Sequence, residues 1–275
     1  MTAALPAGIT WVGKQAIGAW RANKAFYPEN QEYKDAHAGE TCYIVCNGPS
    51  IARQDLRKLA GNIVFSVSNG YRHEHYSIYH PQYHCLPQVA REKLSEQDIV
   101  KWFEEMDNGI GDAVLFLSDT ERELVDRHGL FRKRKVSYLR LSPQISLGDA
   151  RCDISRSIPR PQSAPILCIM IALYMGFKNI VLLGVDHDFF LSGEYKYFYG
   201  EHSPVLRGKL GGVDGADRVT DDRYTQFCEL KTLWEQYLAL RKLANKRGVN
   251  ILNATDGGAL DVFPRISLDE AIQKL

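Results

Sequence analysis

The chain contains no GxxxxGK(S/T) run and no GxGxxG spacing, so a P-loop and the usual dinucleotide fingerprint are both excluded. It has no CxxC pair either. Its six cysteines, Cys42, Cys46, Cys85, Cys152, Cys168 and Cys228, lie mostly in apolar surroundings, which suits reduced core thiols of a cytoplasmic protein and argues against a disulfide or zinc framework. No apolar run reaches the roughly 18 residues of a membrane span, and no basic-then-apolar leader with a cleavage site opens the chain, so a soluble, unexported protein is expected. Net charge is nearly absent, since 34 Lys+Arg against 33 Asp+Glu leaves +1. No global field draws the molecule to nucleic acid or acidic lipid, and any anion site must be local. Repeats and low-complexity tracts are missing as well.

What remains is 275 residues, 45% hydrophobic and 24% charged, enough for one principal core. Residues 1–38 are expected to form an N-terminal helical extension. There Trp11, Val12, Ile17, Trp20 and Phe26 interleave with Lys14, Arg21 and Lys24, as in an amphipathic helix from about Thr10 to Ala25. Such a helix packs on the domain or between subunits, which leaves a homo-oligomer open; peripheral attachment to a membrane surface is the other reading. Residues 39–275 alternate short apolar runs with helical patterns. Strands are expected at Thr41–Cys46, Asn62–Val67, Ser77–Leu86, Ala113–Leu117, Val136–Leu141, Ile180–Gly184 and Asn250–Leu252. Helices are expected at Ile51–Ala60, Ser95–Met106, Thr120–His128, Ile166–Met175 and Asp221–Arg247. This order predicts a single α/β domain, with a Rossmann-like, mostly parallel sheet flanked by helices. Residues 142–162 read as a long loop, and about 189–220, rich in glycine and aromatics, as a flexible lid.

In an open α/β sheet, ligands lie beyond the carboxyl ends of the strands. Polar residues gather at that edge: Asn47-Gly48-Pro49-Ser50 and Ser68-Asn69 after the first two strands, and Asp186-His187-Asp188 after a later one. Gln162-Ser163-Ala164-Pro165 opens a helix at the same edge, with Ser163 as its cap. Gly48 lets a backbone approach a bulky ligand, and Asn47 and Ser50 set short polar side chains beside free amides. A phosphate can bind at the Ser163 helix start without a lysine, with Arg160, Arg156 or Arg151 adding a forked contact. Each of these is equally an ordinary turn, cap or surface charge; their common edge is what distinguishes them. His187 and His202 are the acid/base candidates, because imidazole titrates near pH ~6.5. Asp186 and Asp188 form a DxD-like pair that could bind a divalent cation, though the pattern is weak and Mg²⁺ normally also takes a substrate phosphate as ligand. His73, His75, His80 and His84 have no metal-ligand spacing. The basic run Arg132 to Lys135 reads as a solvated face, or as a dock for an anionic acceptor or membrane headgroup.

Three blocks carry a family resemblance. Tyr33–Ser50 (YKDAHAGETCYIVCNGPS), Leu173–Ile180 with Gly184–His187, and Asn253–Thr255 with Val262–Arg265 resemble the 6-hydroxymethylpterin diphosphokinase-like family of bacterial surface-polysaccharide clusters. That family is similar in fold to the bacterial CMP-sialic acid sialyltransferases and the motility-associated flagellin glycosyltransferases. The resemblance implies a cytoplasmic glycosyltransferase of polysaccharide biosynthesis, working at the inner face of the membrane. Its donor would be a CMP-activated acidic sugar of the sialic, nonulosonic or Kdo type, and its acceptor a surface glycan or lipid-linked precursor. Asn47, Gly48, Pro49, Ser50, Ser68, Asn69, Gln162, Ser163 and Ala164 would hold the donor, with Asp188 and Arg160 beside them and Tyr195 and Tyr197 near its phosphate. His202, with His187 and Asp186, would carry the inverting chemistry. The sequence departs from the sialyltransferase pattern at Gln162-Ser163-Ala164-Pro165 and across 203–220.

No cofactor is required on this reading, and Mg²⁺ is left open. The alternatives are ATP-dependent pterin diphosphokinase activity, with Mg²⁺ on Asp186 and Asp188, and a non-catalytic nucleotide- or glycan-binding module.

Overall fold

The computed structural model describes residues 27–87, 89, 94–143, 147, 152–192, 197–199 and 222–275. The expected N-terminal helix and most of the expected lid lie outside these residues. Seven strands form one sheet in the order β5-β4-β3-β2-β1-β8-β9, every pair parallel. They are β1 Thr41–Val45, β2 Ile63–Val67, β3 Tyr83–Leu86, β4 Val114–Ser118, β5 Val136–Leu139, β8 Asn179–Leu183 and β9 Asn250–Asn253. The helices are α1 Tyr76–Tyr79, α2 Glu96–Gly109, α3 Arg122–His128, α4 Ala164–Tyr174, α5 Phe189–Ser192, α6 Arg223–Arg247 and α7 Leu268–Lys274. This is the expected Rossmann-like arrangement. Two residues each of β6 (Leu141–Ser142) and β7 (Ile158–Pro159) pair beside it, all but Leu141 inside the stretch 142–162 expected to be loop.

Both faces of the sheet are covered, so its strands are apolar without alternation. Cys42, Ile44 and Cys46 point into one core with α4 and α6, whereas Tyr43 and Val45 point into the other with α2. Helix α4 is buried from Pro165 to Tyr174, which explains a helix apolar all round its circumference. Five cysteines are buried and Cys228 is exposed; all six are free thiols. Among the described residues no helix is long and apolar enough to cross a membrane.

Two local expectations are corrected and a third is refined. Ile51–Ala60 is two 3-10 turns, Pro49–Arg53 and Leu56–Leu59, because the Asp55 side chain accepts from Arg57 N and restarts the chain there. The run from Ser77 is not strand, since Tyr76–Tyr79 is helical and closes at His80 with φ 44°, just before Pro81. In the basic run Arg132, Lys133 and Lys135 are exposed, as a solvated face requires, with Lys135 paired to Glu32 at the surface; only the Arg134 side chain is buried, held by Asp107.

Candidate functional site

Strand order sets the location. The chain fills the sheet outward from β1 to β5, then returns to place β8 and β9 on the other side of β1. The carboxyl ends of β1 and β8 therefore diverge into a crevice, the topological switch point at which ligands bind in open parallel sheets. A cavity of about 390 Å³ occupies it, walled by the turns after β1, β2 and β8 and by the start of α4. Asn47, Gly48, Pro49, Ser68, Asn69, Gln162, Ser163, Ala164, Asp186, His187, Asp188 and Tyr197 all line it. The polar corners expected from sequence thus converge. Ser50 is fully buried behind the wall, Arg160 is exposed outside it, and Tyr195 and His202 lie outside the described residues.

The two asparagines are locked in opposite senses. Asn47 Nδ2 donates to Val67 O at 3.2 Å, while its Oδ1 is buried with no partner. Asn69 Oδ1 accepts from Trp102 Nε1 at 2.7 Å and from Tyr71 OH at 3.4 Å, so the face it has left is its NH₂. One corner offers an acceptor and the other a donor. Ser68 between them is left-handed at φ 46°, and its carbonyl accepts from His84 Nε2 at 3.0 Å. With Nε2 donating, His84 Nδ1 accepts from Ser66 Oγ at 2.7 Å, and burial drives this imidazole down to about 3, so it stays neutral.

Ser163 does not cap its helix. It sits at φ −149°, ψ 160° with no side-chain bond to the helix amides, and its Oγ is buried and unpartnered. A buried hydroxyl without a partner costs about 1–3 kcal/mol, so this one is kept for something other than stability. Ile166 N bonds back to Ser163 O, and Pro165 has no N–H, which leaves the Ala164 amide beside the hydroxyl at the positive end of α4.

Gly48 is required for a reason other than the one expected. A Cβ there would lie 1.8 Å from Asp186 Oδ2 and 2.5 Å from Gly184 O, so the missing side chain makes room for Asp186 and not for a ligand. Asp186 is a buried keystone. Its carboxylate accepts from Ser50 N at 3.1 Å and from Ser50 Oγ at 2.7 Å, and its carbonyl accepts from Ala259 N at 2.6 Å. Burial raises its pKa, and the Ser50 hydrogen bonds pull the other way. The loop after β9 holds it from behind. There Arg265 binds the carbonyls of Thr255, Gly257, Gly258 and Leu260, and Thr255 Oγ1 accepts from Val185 N at 3.1 Å. The sequence block from Asn253 to Arg265 is this buttress.

Among the described residues no three His, Cys, Asp or Glu side chains group as a metal site. With both Asp186 oxygens taken by Ser50, the Asp186–Asp188 pair does not present the two open carboxylates that the Mg²⁺ expectation needs. His187, left-handed at φ 48°, is bonded through Nε2 to Tyr237 OH at 2.8 Å, and burial lowers it to about 4. It is neutral at pH 7.

Sequence reasoning missed several wall residues. Trp102 lay unmarked within the expected helix Ser95–Met106, and Leu86, Pro87, Leu94 and Phe189 carried no signal. Tyr199 stacks on Tyr197 with centroids 5.1 Å apart, and Phe198 N donates to Asn47 O at 3.1 Å, laying the described piece of the expected lid across the Asn47 turn.

Fold and cavity define the class: a doubly wound α/β protein with a polar cleft at its switch point. No family model and no curated protein matches the chain, so the expected pterin diphosphokinase-like membership is unsupported. Solved structures do match. The sialyltransferase CST-II in complex with a trisaccharide acceptor and CMP is 13% identical, over 83% of this chain and 86% of that one, with a TM-score of 0.46. CstII from Campylobacter jejuni with cytidine-5'-monophosphate is 14% identical over 84% and 86%, with a TM-score of 0.33. The same enzyme with CMP-3FNeuAc is 14% identical over 83% and 86%, again at 0.33. Likeness this loose transfers no residue roles.

Proposed function

We propose that the chain is an inverting glycosyltransferase that moves an acidic sugar of the sialic, nonulosonic or Kdo type from a CMP donor to a hydroxyl of a bacterial surface glycan or its lipid-linked precursor. The observation that carries this reading is the pairing, in one switch-point cavity, of unpartnered Ser163 Oγ at a helix start with the oppositely locked Asn47 and Asn69. A CMP-sugar has one phosphate. One helix start with a hydroxyl and a free amide is matched to that single charge, and it stabilises departing CMP by preorganised donors without a metal. A diphosphate donor or ATP would call for a cation, and among the described residues the cavity wall offers neither lysine nor two open carboxylates. That disfavours the kinase reading. The asparagines supply a donor and an acceptor, the complement of a nucleoside that itself displays both.

In the reaction the acceptor oxygen attacks the anomeric carbon as its proton passes to a base, the bond to the CMP phosphate oxygen breaks, and configuration inverts. His202 takes the base role in this proposal. His187, tied to Tyr237 and neutral, holds the turn after β8 in place.

Thermal-shift measurements with CMP, UDP, GDP and ATP, each with and without Mg²⁺, test the assignment. A ligand at 100 times its Kd adds about 2.7 kcal/mol, which raises Tm by roughly 5–10 °C in a domain of this size. Metal-free stabilisation by CMP is expected. Stabilisation by ATP only with Mg²⁺ would install the kinase instead, and no shift with any nucleotide would leave a binding module of another kind.

A further inference from the structure

Resting on the reading of the cavity as a CMP site, we propose that Gln236 is the positioning residue that sets the phosphate turn. The turn is Pro159-Arg160-Pro161-Gln162-Ser163-Ala164-Pro165. Three of its seven residues are prolines, so it has few N–H donors with which to fix itself by backbone hydrogen bonds. The tie comes from the long helix instead. Gln236, only 2% exposed in the middle of α6, accepts from Gln162 N through Oε1 at 2.8 Å and donates through Nε2 to Arg160 O at 2.9 Å. One carboxamide thus spans Pro161 and fixes the residue directly before Ser163.

The match is chemical as well as spatial. One acceptor and one donor are needed, in that order, and among side chains of this length only glutamine supplies both. Glutamate would set an oxygen against Arg160 O and bring a negative charge towards the anion site; methionine would fill the volume and bond neither group. The next residue on α6, fully buried Tyr237, holds His187 in the turn after β8. Consecutive side chains of one helix therefore set the spacing between the phosphate turn and the turn after β8.

The test compares CMP with cytidine by calorimetry, for wild type, Gln236→Met and Gln236→Glu. A positioning role for the phosphate turn predicts that Gln236→Met weakens CMP by about tenfold while cytidine changes by less than about twofold, and that Gln236→Glu weakens CMP further. Equal losses for the two ligands, or unchanged CMP affinity in a folded variant, would overturn it. Should neither variant fold, amide exchange on wild type decides. Gln162 N–H must be protected in the free protein and slowed further by CMP but not by cytidine; exchange at an open-loop rate refutes the tie. A wild type that binds no CMP while Gln162 stays protected would instead remove the proposed function and leave the turn's anchor in place.

Discussion

Adding a single methyl group at Gly48 is expected to be among the most damaging changes in the molecule. The new Cβ of Gly48→Ala would lie 1.8 Å from Asp186 Oδ2, 2.6 Å from its Cγ and 2.5 Å from Gly184 O, all well inside contact distance. The carboxylate cannot step aside cheaply, because Ser50 holds it with two hydrogen bonds and Ala259 N holds its carbonyl. Losing the Ser50 bonds costs about 1.5–3 kcal/mol each, and shifting the backbone of a packed turn about 1–3 kcal/mol. A loss of roughly 4–9 kcal/mol follows, at about 2–4 °C in Tm per kcal/mol for a domain of this size. Urea or thermal denaturation measures it. Since two of the three contacts are with the Asp186 side chain, Asp186→Ala should cost less in the Gly48→Ala background than in wild type, a coupling that a double-mutant cycle reads directly. A Gly48→Ala protein within about 1 kcal/mol of wild type, or additive losses in the cycle, would refute the keystone role of Asp186.

Ser163→Ala should separate stability from binding: removing a buried, unpartnered hydroxyl leaves stability equal or raised, by up to about 1 kcal/mol, while CMP affinity drops about tenfold and cytidine affinity holds. Acid should destabilise the protein in a definite window. His84 and His187 are both held neutral when folded, with values driven from 6.5 down to about 3 and about 4, so the unfolded chain binds more protons, and stability present above pH 6.5 is lost as the pH falls towards 4. Each histidine contributes a slope of up to about 1.4 kcal/mol per pH unit, and His84→Gln should show a shallower decline of Tm between pH 6.5 and 4; an unchanged slope would contradict the assignment. His202→Ala should slow sugar transfer at least about a hundredfold and leave CMP affinity within about twofold; full activity would remove it from the mechanism.

The strands were readable because burial on both faces of a parallel sheet writes continuous apolar runs such as Cys42–Cys46 and Ile180–Leu183 into the chain. Helix α4 announced itself through Pro165 near its start and Gly176 after its end, the latter at φ 83°. The convergence of Asn47, Ser68, Asn69, Ser163 and Asp186 was legible too, because parallel topology sends every strand's carboxyl end to one edge. Partnership was not. Nothing local in Gly48 says that its absent side chain makes way for a residue 138 positions on, Asp186. Gln236 and Trp102 were unmarked positions within expected helices, since their partners Gln162 and Asn69 are neighbours only after folding. Ser163 had the residue type and position of a cap, and only the folded geometry shows its hydroxyl left unbonded.

The central claim is that the crevice between β1 and β8 holds a nucleoside monophosphate by its phosphate. A crystal structure with CMP tests it most directly: the phosphate should lie within about 2.7–3.2 Å of Ser163 Oγ and the Ala164 amide, with the pyrimidine towards Asn47 and Asn69. CMP found elsewhere on the molecule, or bound in the crevice with its phosphate in solvent and Ser163 Oγ still unpartnered, would contradict it.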